Sequence, residues 1–520
     1  MKNIYNNGPT PQSFHSDHTK TVPRVGIKKD RCISSIVKHS LLFLTVLLLA
    51  PLAANADTFH VATNGCDDAT YDGRTVARAW ASLAFACERV PEGAHTILVG
   101  SGEFIATQTA KPKSGVLIVG SGSNGDKASR IVAAKDWPLA NKLQDMGPPE
   151  EYLIALVKAK GVTVHDLLLC SIPEHRITGA VYCHGSQGVR LERLVVRDFR
   201  WNGLALEYAD KLIVRHCLIQ NASTEKLQHN GGLIRTHWIK DSEIGHNRLV
   251  STIGKGYGYK ASGHENVRLH HNHIDVAGEF AIESAHENEF GVEIDHNYLN
   301  RCISVPKGGQ GADPKQRGCD YSFWIHHNLM TDSYAVEGPR NHLRLDHNYI
   351  RCEKPNGRIF THHGGINHGP VWIDHNIIEN ADRAFIWMNQ GLAENIHAFN
   401  NTIVFANAGD RAGSVLGAGS GERLNGWLVK SNIFIAPVSQ PRRLMTAERG
   451  VSQEITATDN ICVNITDAPP GNHIGVTPVL NMNGAKPLPF YAPSGVVGCG
   501  AVELGETKFE VGVAANEELP

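Results

Sequence analysis

The phrases IGHNRL, LHHNHI, IDHNYL, IHHNLM, LDHNYI and IDHNII limit what this 520-residue chain can fold into, placing His-Asn pairs at His246, His271, His296, His327, His347 and His375. Neighbouring copies stand 25, 25, 31, 20 and 28 residues apart. A period of about 20–30 residues with a fixed apolar pattern marks a solenoid, in which each repeat buries its inner face only by stacking on the next. Alternation of apolar residues makes the arm before His-Asn a strand, and the apolar residue two after Asn opens another. The bend between them requires a residue tolerant of left-handed backbone. Asn is the non-glycine residue best suited to that conformation, so a column of Asn is expected to make the corner.

Weaker copies extend the series. VHDLLL (His165), LERLVV (Glu192) and VRHCLI (His216) keep register upstream, and FNNTIV (Asn400) and KSNIFI (Ser431) continue it downstream. That makes eleven candidate coils between Ile154 and Ala436, each too short for a helix and two strands and long enough for three short strands. The expected fold is all-β, a right-handed parallel β-helix of about eleven coils. With coils rising about 4.8 Å each, it forms a rod on the order of 50 Å long. A leucine-rich repeat fits less well, because the step varies too much and its Leu/Asn consensus is missing.

Residues 1–56 read as a secretory signal and leader. Lys28, Lys29, Arg31 and Lys38 precede the apolar run Leu41–Ala53, and Ala54-Asn55-Ala56 supplies a small-x-small cleavage site. The apolar run is too short for a comfortable membrane span, and no other segment approaches it. The expected product is secreted or periplasmic, cleaved near Ala56. The leader holds seven Lys/Arg against two Asp/Glu, so its removal takes the net charge from −2 to −7. A nucleic-acid-binding protein leans the other way. Ten of the eleven cysteines remain, an even number in an oxidising compartment, so disulfides are plausible. Proximity suggests Cys66 with Cys87, Cys302 with Cys319 and Cys462 with Cys499; the alternative is buried thiols inside the coils.

Residues 57–150 read as an N-terminal cap with first strands, in which Ala77–Arg89 has helical spacing and would cover the open edge of the rod. Residues 151–440 are the coils, and 441–520 supply C-terminal strands, a cap and a loose acidic tail. Function must sit outside, because a β-helix interior is packed. The outward column of one sheet is read as Glu207, Arg235 to His237, Lys260, Glu283, Ser304 or Lys307, Glu337 with Arg340, His362 with His363, and Trp387 to Asn389. A row of ionisable and aromatic side chains along a shallow groove suits an extended polymer; the competing reading is a solvated face of paired charges. The Gly-rich insertion Ser304–Asp320 flanks the column.

Nearly the whole mature chain resembles the pectate-lyase-like β-helix superfamily, which includes polysaccharide lyases, uronate epimerases and polygalacturonase-type hydrolases. VWIDHN at Val371–Asn376 resembles the WIDH signature of pectate lyases, and FWIHHN and VEIDHN are looser copies. The Arg-x-Pro-x-x-Arg, Asp-Pro-His-Asp and Gly-His-Gly elements of individual enzyme families are missing, so no single family is matched. The resemblance implies a carbohydrate-active protein whose partner is an acidic polysaccharide; net charge and segment length add the expectation of no nucleic acid and no membrane span, and a monomer is expected.

A lyase on uronic-acid chains needs a base for the proton beside the carboxylate, cations to neutralise that carboxylate, and an acid for the leaving oxygen. Lys260 is the candidate base, since a Lys crowded by cations has a lowered pKa. Arg235 and Arg340 would hold carboxylates bidentately, with Lys307, Glu337 and Trp387 as further substrate contacts. His237, His362 or His363 would act as acid or alternative base, and Glu283 either joins the catalytic group or simply pairs with Lys260. The one cofactor weighed is calcium, on Glu207 and Glu283. A hydrolase would instead use pairs among Glu207, Glu283 and Glu337, and a binding or surface protein would show the fold without a convergent site. Metal chelation by the doublets His270-His271, His326-His327 and His362-His363 competes with the expectation that corner histidines stack on one another.

Overall fold

The computed structural model describes residues 56–494 apart from 140–145, 223–230, 254–255, 279, 285–288, 306–312, 332–333, 339–341, 353–357, 368, 408–412, 419–422, 448–451, 477 and 483–490. Over 362–367, 389–393 and 491–494, among others, it describes the backbone alone. The leader therefore lies outside the described residues, as do Lys307, Arg340, Cys499 and the acidic tail.

Three strands per turn stack in parallel into a right-handed β-helix of about eleven coils. Strands such as Asn202–Glu207, Gly232–His237, Tyr257–Ala261 and Phe280–Ser284 build face I. Lys240–Gly245, Glu265–His270, Phe290–Asp295, Phe323–His326, Leu343–Asp346 and Val371–Asp374 build face II. These two faces join into one 27-stranded sheet, and face III is a 15-stranded sheet. Inward positions are mostly Ile, Val, Leu and Phe, with Ala and Cys between them, giving one continuous core.

The corner between faces II and III departs from the sequence-based expectation. The left-handed residue is the His, not the Asn: His216, His246, His271, His296, His327, His347 and His375 all have φ of 51–56°. His is among the residues enriched in that region. Where the phrase is weakly spelled the turn falls on Asp166, Arg193, Asn400, Ser431 and Asp459. The two upstream turns thus fall one residue later than an alignment on His165 and Glu192 suggests. The following Asn points inward and is buried, forming a ladder through Asn247, Asn272, Asn297, Asn328, Asn348, Asn376, Asn401, Asn432, Asn460 and Asn472. At each step one Oδ1 accepts from both the backbone N–H and the Nδ2 of the previous Asn, at 2.8–3.1 Å. Nδ2 also donates to a carbonyl of the preceding coil, such as Ile294 O from Asn328. Outside, the seven histidine rings stack at 4.8–5.1 Å, as expected for a fixed corner.

The cap helix is shorter than Ala77–Arg89. A 3₁₀ turn covers Val76–Arg78, and the α-helix is Leu83–Arg89, started by Ser82 whose side chain accepts from Phe85 N–H. Trp80 instead bridges in parallel to Val61. Strands Thr58–Val61, Thr96–Val99 and Leu117–Gly120 already belong to the face II sheet, so the parallel ladder begins within residues 57–150. The expected cystine pairs do not form among the described residues. Cys66, Cys87, Cys302, Cys319 and Cys462 are free thiols, and all but the exposed Cys66 and the half-buried Cys319 are buried. Burial pushes the Cys183 and Cys217 thiols up to about 12, which keeps them protonated and inert. The side chains behave as small apolar core residues.

Removing one rung of the ladder strands the polar backbone around it. Asn328→Ala should lower unfolding stability by about 2–4 kcal/mol in urea titration. Asn472→Ala, at the partly exposed end of the ladder, should cost well under half of that; equal losses at both positions would contradict a cooperative buried ladder.

Candidate functional site

Strand pairing on face I resolves the outward residues into two columns rather than one. Arg235, Lys260, Glu283, Ser304 and Glu337 stand side by side on successive strands, followed by Thr361 and Trp387. Two residues on, His184, Glu207 and His237 form the second column. Arg235 and Glu283 therefore flank Lys260, and Glu207 belongs with His237. Glu207 and Glu283 sit three coils apart, about 14 Å at the strand spacing, too far to share the 2.3–2.6 Å coordination of one calcium ion. No two of Glu207, Glu283 and Glu337 occupy adjacent coils. Glu283 and Glu337 are two coils apart, about 10 Å, near the upper limit for inverting glycoside hydrolysis and beyond the retaining distance.

Lys260 is 8 % exposed, its ammonium hydrogen-bonded to Glu283 and 4.5 Å from the Tyr257 ring centroid. Burial pulls its pKa below the ordinary Lys value; Glu283 opposes that shift and Arg235 adds to it. In the second column Glu207 accepts from the Tyr182 hydroxyl, with His184 Nδ1 at 3.1 Å and His237 Nδ1 at 4.0 Å. Burial and the Glu207 carboxylate push the Tyr182 phenol up, so it stays protonated. Met146, Tyr152, Ala155, Tyr182 and Ala205 form an apolar cluster on the same outer surface at the N-terminal end of these columns. At the other end Trp387 lies over Gly417, where a Cβ would come within 2.4 Å of the indole, and under the Arg358 guanidinium at 5.0 Å. His362 and His363 fall on the strand Arg358–Asn367, but their side chains are outside the described residues. The insertion carries a 3₁₀ turn, Pro314–Arg317, capped by Asp313 and closed by left-handed Gly318; Arg317 rests 5.5 Å from the Phe290 ring at the corner between faces I and II.

Beneath this group the core changes character. His264 Nε2 lies 2.8 Å from Thr236 Oγ1 and 3.2 Å from the Tyr259 hydroxyl, and Thr236 donates to that hydroxyl at 2.8 Å. Glu289, 0 % exposed, accepts from Ser284 Oγ and from Gly263 N–H, and lies 3.8 Å from His264 Nδ1. Strand alternation explains the placement: Thr236 lies between Arg235 and His237, Tyr259 precedes Lys260, and Ser284 follows Glu283. The neighbouring coils hold Leu206 and Val305 at comparable inward positions. Sequence reading missed Tyr182 and His184, although GAVYCH repeats the offset of GLALE one coil earlier. It also missed His264 and Glu289, which stand in turns with no periodic signal.

The doublet histidines do other work on face II. His270 and His326 each turn Nδ1 toward the following corner histidine at 2.9 Å, while their Nε2 atoms meet Glu243 at 2.8 Å and Glu293 at 3.1 Å. Burial and neighbouring imidazoles bring His271 and His327 down to about 4. Ligand-type atoms of Glu293, Asp295 and His326, and of Asp346, His347 and Asp374, also converge. Their carboxylates already bind guanidinium groups: Arg268 holds Asp295 at 2.7–2.9 Å and Arg344 holds Asp374 at 3.1–3.2 Å. This occupancy favours ion pairing over metal coordination there.

No protein-family model matches the sequence, and no curated protein matches it. Solved structures do. The tailspike protein of E. coli bacteriophage HK620, in complex with a pentasaccharide, aligns with TM-score 0.50 at 10 % identity over 75 % of this chain and 76 % of its own. An endo-xylogalacturonan hydrolase from Aspergillus tubingensis aligns with TM-score 0.38 at 12 % identity over 81 % and 98 %. The mannuronan C-5 epimerase A-module of Azotobacter vinelandii aligns with TM-score 0.37 at 14 % identity over 72 % and 94 %. Identities this low speak to the fold alone, a right-handed parallel β-helix.

Burial holds His264 at about 3, against an ordinary value near 6.5. The folded state keeps it neutral while the unfolded state gains a proton below 6.5, so its contribution to stability falls as pH drops from 6.5 toward 3. The slope approaches about 1.4 kcal/mol per pH unit. Urea titrations at about pH 7 and about pH 5 should show a smaller loss in His264→Gln than in the parent, by roughly 1–2 kcal/mol. Identical losses would show that His264 is not held neutral.

Proposed function

We propose that the mature chain is an exported carbohydrate-active enzyme that cleaves a uronic-acid-containing polysaccharide by β-elimination along face I. The observation that carries this reading is the coincidence of Arg235, His237, Lys260 and Glu283 on three successive strands with the buried Thr236–Tyr259–His264–Glu289–Ser284 network beneath them. Buried hydrogen bonds among Thr236, Tyr259 and His264, and between Ser284 and Glu289, tie together the strands that carry the site, whereas an apolar core would serve if the face were only solvated. The other support is the fold, shared with a tailspike whose structure holds a pentasaccharide.

Under this reading Arg235 binds the uronate carboxylate, which withdraws electrons from C5 and makes its proton acidic. Lys260 in its neutral form takes that proton on Nζ. The C5–H electron pair becomes the C4–C5 double bond, the C4–O4 bond breaks, and His237 donates a proton to the departing oxygen. Glu283 receives the hydrogen bond of the resulting ammonium. A hydrolase reading rests on Glu283 and Glu337 at their inverting-type separation.

Incubation of the mature protein with polygalacturonate, alginate and neutral glucans separates these outcomes. Elimination yields new reducing ends together with the ultraviolet absorbance of an unsaturated uronate, and hydrolysis yields reducing ends alone. Lys260→Ala should lower kcat about 10²–10⁴-fold with KM little changed, and Arg235→Ala should raise KM. Full activity in Lys260→Ala, or activity with no ultraviolet product, would refute the assignment.

A further inference from the structure

We propose that face II carries a second saccharide-binding site, centred on Trp372 and independent of the chemistry on face I. Its outward column reads Trp324, Arg344, Trp372 and His397 on four successive strands, in register. Upstream the same column holds Arg268 and Glu293, the ordinary charged residues of a solvated sheet. Two of the chain's eight Trp thus occupy outward positions two coils apart. Trp372 borders a cleft of about 510 Å³ lined also by Tyr321, Arg344, Asp374, Phe399 and Lys430, among others.

The cleft has the two components that hold a pyranose: aromatic surface for the apolar ring face and fixed polar groups for the hydroxyls. Trp372 is half-buried, and the rings beside it meet it nearly perpendicular. Tyr321 stands at 5.6 Å and 88°, His397 at 6.4 Å and 87°, so neither stacks flat on the indole. The polar floor is held in place. Arg344 bonds Asp374 through Nε and Nη2 at 3.2 and 3.1 Å and reaches the Tyr321 hydroxyl through Nη1 at 3.3 Å, while Trp324 Nε1 donates to Asp346 at 2.6 Å. These contacts use three of the five guanidinium donors and leave two for hydroxyl groups. Groups positioned in advance lose little entropy on binding.

The repeat supplies the length match. One coil advances about 4.8 Å along the rod, close to one sugar residue of an extended chain. A polymer lying along the axis would therefore place alternate residues over Trp324 and Trp372, with Arg344 beneath the residue between them. Lys430 at one end of the cleft, opposite the single carboxylate of Asp374 in the lining, also accommodates a uronate.

Native electrophoresis in gels cast with polygalacturonate or with hydroxyethylcellulose tests the site. The parent protein should be retarded in at least one gel relative to a gel without polymer. Trp372→Ala should weaken that retention about tenfold, Trp372→Phe should keep most of it, and Lys260→Ala should keep all of it. Tyr321→Ala, outside the strand core, provides a second reading should Trp372→Ala fold poorly in a thermal melt. Parent protein unretarded in both gels, or Trp372→Ala and Tyr321→Ala both retained like the parent, would overturn the proposal. Retention lost only in Arg235→Ala would likewise overturn it and assign binding to face I. Retention is read without turnover, so failure of the catalytic reading leaves this one standing.

Discussion

The asparagine ladder is the interaction on which the rest of the structure depends. At the corner between faces II and III the backbone turns through a single left-handed residue, leaving an N–H that strand pairing cannot reach. The buried Asn amide answers it, and its own oxygen takes the bonds of the Asn in the coil before. Each rung is satisfied only if the next coil is in register. A slip of one residue would expel an Asn from the core and bring a corner histidine inside, leaving several buried polar groups unpaired. The left-handed histidines cost backbone energy of about 1 kcal/mol each, which the paired amides offset. The outer imidazole stack follows from the same spacing.

Register fixed at one corner fixes the outward columns on every face, and this gives the rod its chemistry. Arg235, Lys260 and Glu283 meet because their strands pair residue to residue, although 25 and 23 positions separate them in the chain. Beneath them an aliphatic interior gives way to Thr236, Tyr259, His264, Ser284 and Glu289. Burying an imidazole and a carboxylate is costly without full pairing, so a sequence under no demand but stability would place apolar residues there. Thr236, Tyr259 and Ser284 sit beneath the candidate site at inward positions that alternate with its outward residues, and His264 and Glu289 join them from the turns.

Much of this was legible from the His-Asn phrase. Its period gave the coils, and its alternation gave the strands and the direction of Lys260 and Glu283. What it could not give was the division of labour at the corner, because His and Asn both tolerate left-handed backbone and only the buried amide bonds tell them apart. Counting outward offsets without strand pairing also merged two columns, which brought Glu207 beside Lys260 on paper and left it with Tyr182 and His184 in the fold. The cystine pairs Cys66–Cys87 and Cys302–Cys319 failed for a related reason. Proximity along the chain says nothing of direction, and Cys87, Cys302 and Cys462 are buried as thiols. His264 and Glu289 carried no signal, since turn residues do not share the strand period.

The protonation of Lys260 decides whether the proposed elimination is possible, and three influences compete there. Burial disfavours the ammonium, and Glu283, in direct contact, favours it. A bound uronate would add a second negative charge and, alone, would hold the proton on Lys260 and stop it acting as a base. Arg235 changes that balance. Standing in register on the adjacent strand, it already lowers the Lys260 pKa, and pairing with the substrate carboxylate would cancel the charge that favours the ammonium. The same contact that acidifies C5 would thus keep its acceptor neutral, so Arg235 and Lys260 must act as a pair. Glu283 then serves the product state, when the ammonium has formed and the substrate has lost its proton.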